Sequence, residues 1–114
     1  MTPVYKLLSQ GEWAAAQAVG VFEGSAADLA DGYIHFSTGG QLAETARRHF
    51  PGRSDLMLLA VDPGGLGEAL RWEPSRGGAL FPHLYAPLPL SAVVLARAAP
   101  LTAAGTHELG ALEA

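Results

Sequence analysis

The chain has 114 residues, no cysteine, and seven Lys and Arg against eleven Asp and Glu, for a net charge of −4. This length supports a single domain, 1–114, with its own core, and the missing cysteine excludes disulfides, thiolate metal sites and thiol catalysis. No basic tract and no run near the roughly 20 apolar residues of a membrane span are present, so neither an extended nucleic-acid surface nor a membrane is an expected partner. The start "MTPVYKLLSQ" has no leader pattern, and a soluble cytoplasmic protein is the expectation.

"PVYKLLS" (Pro3 to Ser9) alternates weakly and predicts a first strand. Ser9 and Glu12 then stand at capping-box spacing ahead of the helix-favouring "WAAAQAV", and Gly20 is its natural stop. Ser25 and Asp28 repeat that spacing, so a single helical turn leads through the Asp31-Gly32 turn into a strand at Tyr33 to Phe36. Thr38 and Gln41 give a third capping pattern, with Thr38 as the expected N-cap of a helix whose Leu42, Ala46 and His49 or Phe50 share one face. "DLMLLAVD" is a continuous apolar run that predicts a central strand buried on both faces. Short strands are expected at Ala69 to Glu73, Leu80 to Tyr85 and Ala92 to Ala96, and the ordered core spans about residues 3–99. Residues 100–114 read as a loosely attached tail, with "THELGALEA" a last helical turn or a frayed end. The order of elements predicts an α+β fold.

The chemistry concentrates on three stretches. In "DGYIHFST", period-two alternation puts His35 and Ser37 on the face of Tyr33, opposite Ile34 and Phe36. In "LRWEPSRGG", Arg71 and Glu73 share a face opposite Leu70 and Trp72, Trp72 is expected to be buried, and Arg76 follows in a Gly-rich loop able to approach a ligand. "FPHLYAPLP" adds His83 and Tyr85 on one face, so His35 and His83 are expected to face one cleft. The four histidines never adopt the i, i+4 spacing of a helical zinc pair, and no metal is expected. "GGLG" (Gly64 to Gly67) lacks a following helix or Lys-Ser/Thr pair and reads as a turn, not a phosphate loop. The composite set offers guanidiniums, imidazoles, a carboxylate and an aromatic ring without a strong nucleophile. That chemistry suits an anionic nucleotide-like ligand, or a cationic transition state, better than acyl transfer.

"VYKLLSQGEW", "DGYIHFST", "LRWEPSRGGALFPHLY" and "LPLSAVV" together resemble a small bacterial family known as domain of unknown function 952, through about residue 97. "IHFST", the helix after it, "DLMLLAVD" and the later Gly-rich turn are more distantly similar to the ADP-ribosyltransferase fold and to NAD-dependent RNA 2′-phosphotransferases. In those enzymes one motif has a His, an apolar residue and a Ser, as His35, Phe36 and Ser37 do here; Lys6 stands where they often carry His or Arg. The resemblance implies a mostly antiparallel, split two-sheet core with two or three short helices and an NAD cleft between the sheets. It places His35 or Ser37 near the ribose or phosphate; the leading reading built on this cleft takes Glu73, His35 and His83 as catalytic residues, with Glu73 stabilising charge at the anomeric carbon, and Ser37, Arg71, Arg76 and Tyr85 as binding residues for NAD. Two other readings stand beside this one: a non-catalytic nucleotide or metabolite binding module using the same pocket, and a structural or partner-binding protein whose polar residues satisfy one another.

Overall fold

The computed structural model describes residues 2–113, so Met1 and Ala114 lie outside the described residues. Strand β1 (Val4–Ser9) runs into helix α1 (Gln10–Val19) through Ser9, whose hydroxyl takes the Glu12 amide while the Glu12 carboxylate takes the Ser9 amide. This reciprocal pair satisfies two otherwise unpartnered donors and fixes where the helix begins. After β2 (Val21–Phe22), the same device starts α2 (Ala26–Asp31), with Ser25 as cap and Asp28 as its third residue. The chain then enters β3 (Ile34–His35), shorter than expected.

Helix α3 (Leu42–His49) starts later than the capping pattern implied. Thr38 is not its N-cap; Gly39 and Gly40 form a turn, and the Gln41 side chain reaches back to accept the Thr38 amide at 3.0 Å. Beyond it lie β4 (Leu56–Val61), β5 (Leu70–Pro74), β6 (Leu80–Leu84), β7 (Leu88–Pro89) and β8 (Val93–Ala98). "GGLG" falls in short 3₁₀ turns between β4 and β5.

Every strand pairing is antiparallel, and the fold is α+β. The strands make three sheets rather than two: β1-β4-β8, β2-β7 and β3-β6-β5. The split has a physical origin in the short β3, because past His35 the chain pairs with β1 only at Ser37, through bonds of 2.7 and 2.9 Å with Tyr5. The first and third sheets therefore meet at one bridge and open a seam on either side of it.

Two apolar layers sandwich the first sheet. Val4, Leu8, Leu59 and Val61 face Phe22, Ile34, Phe36, Leu84 and Leu88; Tyr5, Leu7, Leu58 and Ala60 face Leu42 and Ala46 of α3. Strand β4, between β1 and β8, is buried on both faces, as its uninterrupted apolar sequence requires. Residues 100–113 form no helix. Leu109 and Leu112 pack on the second layer, and the Glu113 amide donates to Tyr5 Oη at 2.9 Å, so the expected loose tail is seated against the core. Among the described residues, no helix is long and apolar enough to cross a membrane.

Candidate functional site

Alternation along β1 puts Lys6 on the same face as Val4 and Leu8, inside the apolar layer, where a lone ammonium is unfavourable. Its partner is Asp28, whose two carboxylate oxygens lie 3.0 and 2.9 Å from Lys6 Nζ. Asp28 also accepts the Ser25 amide at 2.9 Å, the His35 amide at 3.1 Å and His35 Nδ1 at 2.6 Å. Burial pushes the Asp28 carboxyl up, but the hydrogen bond from His35, the Lys6 charge and the Ser25 amide outweigh it, holding Asp28 well below the usual carboxylate range. Burial lowers Lys6, and the Asp28 charge offsets part of that effect.

Asp28 thus links a helix cap to a site residue. His35 Nε2 meets a second carboxylate, Asp31 Oδ2, at 2.8 Å. Carboxylates only accept, so a doubly protonated His35 satisfies both neighbours and a neutral ring serves one.

Antiparallel register sets His35 opposite His83 on β6, and His83 opposite Arg71 on β5, making one row across three strands. The two imidazole centroids are 5.7 Å apart in an edge-on arrangement. His83 is almost fully buried, and its Nδ1 donates to Glu73 Oε1 at 2.8 Å, a diagonal neighbour in the sheet. Tyr85 Oη donates to the same oxygen at 2.7 Å. These bonds, from Tyr85 first and then His83, hold the Glu73 carboxyl below its usual value, while Glu73 raises the Tyr85 phenol. His83 Nε2 has no hydrogen-bond partner among the described residues, yet no buried polar side-chain atom there lacks one. That nitrogen is therefore not fully sealed in the core, and its residue lines the cleft described next.

The seam between β1 and β3 widens into a cleft of about 480 Å³, the size of a small-ligand pocket. Its walls include Lys6, Asp28, His35, Ser37, Arg76 and His83. His35 and His83 thus share one cleft, although they are far apart in sequence. Ser37 is buried, and its hydroxyl pairs with Thr45 Oγ1 at 2.9 Å. Glu73 stands behind His83 rather than in the wall; Arg71 and Tyr85 also lie outside it, with the Arg71 guanidinium 4.7 Å from the centre of the Tyr85 ring.

Trp72 corrects the sequence reading: it is 48% exposed. Strand β5 is the edge of its sheet, and the apolar layer behind it ends at Leu70 and Leu84, leaving Trp72 uncovered. Sequence reasoning missed Asp28 and Thr45 as site residues, and it placed Tyr33 on the His35 face without giving it a role; the Tyr33 ring stacks on His83 at 4.1 Å. Asp28 had a signal: a lysine flanked by apolar residues in a buried strand needs a nearby carboxylate.

Fold and site together define a small antiparallel α+β protein with a histidine-lined cleft at a sheet seam. The chain belongs to the family described as protein of unknown function (DUF952), whose profile matches residues 7–96. It is similar to protein CC0527 from Caulobacter crescentus. Against the crystal structure of CC0527 the identity is 56%, with 95% of each chain covered and a TM-score of 0.91. Against the solution NMR structure the identity is also 56%, covering 96% of this chain and 95% of the other, with a TM-score of 0.86. No curated protein matches the chain.

Proposed function

We propose that the cleft binds a small, anionic, nucleotide-like molecule, with NAD as the ligand that the distant ADP-ribosyltransferase resemblance points to. The observation that carries this reading is the convergence of His35, His83, Ser37 and Arg76 on one cleft of small-molecule size. The Arg76 guanidinium and the Ser37 hydroxyl in a partly apolar cavity are groups that a phosphate and a ribose require, and His35 and His83 shape the wall beside them. Arg71 and Tyr85 continue the row past the walls, where their stacked pair offers a flat face to an aromatic ring.

The Glu73–His83 hydrogen bond favours a catalytic version of this reading. In it, the bond between the ribose anomeric carbon and the nicotinamide nitrogen breaks, the electron pair leaves with nicotinamide, and water adds to the carbon. His83 Nε2 takes the proton of that water, and Glu73 fixes the ring from behind. Glu73 then acts through His83, as a positioning residue, rather than at the anomeric carbon itself.

Calorimetry with NAD, followed by chromatography for free nicotinamide, tests both forms. Binding that weakens in His83→Ala, with nicotinamide released, supports the enzyme. Binding without release supports a binding module, and no binding at millimolar NAD rejects the NAD reading.

A further inference from the structure

Arg76 lies on the turn after β5, and its guanidinium is held in the cleft wall, 4.8 Å from the centre of the Phe81 ring. Its side chain is only 17% exposed. Nη2 makes a long contact of 3.4 Å to Thr45 Oγ1, a hydroxyl that donates to the Gln41 carbonyl at 3.2 Å and pairs with Ser37 Oγ at 2.9 Å. A half-buried planar cation beside two hydroxyls is the chemistry of phosphate recognition.

In this structure the anion facing Arg76 comes from the protein itself: Glu44 Oε2 is 2.8 Å from Arg76 Nε. Glu44 is exposed and has two further cations within reach on its own helix, Arg47 at 3.3 Å and Arg48 at 3.4 Å. Those partners sit one turn along α3 and would keep the carboxylate after it left Arg76. The contact is therefore one that an incoming anion can replace without stranding a charge.

We propose that Arg76, Thr45 and Ser37 form the subsite for a phosphate group of the ligand, and that Glu44 occupies Arg76 until that phosphate displaces it toward Arg47 and Arg48. The proposal rests on the reading of the cleft as a nucleotide site.

Titration calorimetry with inorganic pyrophosphate and, separately, with NAD tests it on the wild type, Glu44→Gln, Arg76→Ala and Arg76→Lys. Melting temperatures report whether each variant is folded, and Arg76→Lys carries the test if Arg76→Ala is not. Glu44→Gln is expected to bind pyrophosphate about two to five times more tightly, the strength of a partly exposed ion pair. Arg76→Ala is expected to bind it about ten to a hundred times more weakly, with Arg76→Lys between. Unchanged or weaker binding in Glu44→Gln overturns the displacement. NAD binding to the wild type that the Arg76 variants leave unaltered overturns the subsite while the cleft reading survives. A wild type that binds neither NAD nor pyrophosphate, with Glu44→Gln equally silent, overturns both.

Discussion

His83 and Tyr85 share a single acceptor: the imidazole Nδ1 and the phenol Oη both donate to Glu73 Oε1, at 2.8 and 2.7 Å. Because a carboxylate cannot donate, Nδ1 must carry a proton, and in the neutral ring the lone pair falls on Nε2. Nitrogen-15 NMR is expected to show the neutral His83 ring with its proton on Nδ1. In Glu73→Gln, whose amide can donate as well as accept, the other tautomer should gain population. A wild-type ring protonated on Nε2 would remove the basis for a proton-accepting His83.

Asp28 accepts five hydrogen bonds from four donor atoms, whereas among the described residues Lys6 Nζ hydrogen-bonds to Asp28 alone. Asp28→Asn leaves a buried ammonium without its counter-charge and should cost about 3–5 kcal/mol. Lys6→Met keeps the volume and leaves Asp28 its other donors, so it should cost less. The pH dependence has a definite sign. Asp28 titrates below its ordinary value of 3.8 when folded, so the unfolded chain binds the proton first as pH falls. Its stabilisation is therefore complete above about pH 5 and declines as the pH drops through 3.8 and below. Urea midpoints between pH 3 and 7 should fall more steeply for wild type than for Asp28→Asn, and parallel curves would refute this linkage.

The two tryptophans should behave differently. Trp13 packs from α1 against the first apolar layer, and Trp13→Ala should approach the roughly 3 kcal/mol lower bound for a core aromatic. Trp72, exposed on the edge strand, should cost no more than about 0.5–1 kcal/mol. Iodide should quench Trp72 fluorescence in the folded protein much more than that of Trp13; equal quenching would contradict the placement.

What the sequence reveals and what it hides divide along the range of the interactions. The capping boxes at Ser9 and Ser25 are complete within four residues, so their spacing alone places both helix starts. Period two along each strand likewise puts His35 and His83 on like faces. The Thr38 pattern misleads because the adjacent glycines favour a turn, a local competitor with the same spacing. Trp72 misleads for a different reason: whether an apolar strand face is covered depends on strand order, and β5 is an edge only because β6 takes the middle of its sheet. Lys6–Asp28 and Arg76–Glu44 join residues from separate elements, and their pairing exists only once the sheets are assembled.

Gly24 connects backbone conformation to the site. Its φ of +122° is one that L residues avoid, and a Cβ placed there would lie 2.9 Å from Asp28 Cβ, too close for two carbons. Gly20 has a positive φ as well, +96°, but open space around it, so Gly20→Ala reports backbone strain alone, about 1–2 kcal/mol. Gly24→Ala adds the collision with Asp28 and should destabilise the fold further. Because Asp28 holds both Lys6 Nζ and His35 Nδ1, the collision should also reach the cleft. The expected signature is a shift of the His35 ring resonances in Gly24→Ala and none in Gly20→Ala, alongside a larger drop in urea midpoint. Equal midpoints with an unmoved His35 would mean that the loop before α2 relaxes freely and that Gly24 has no part in positioning the site.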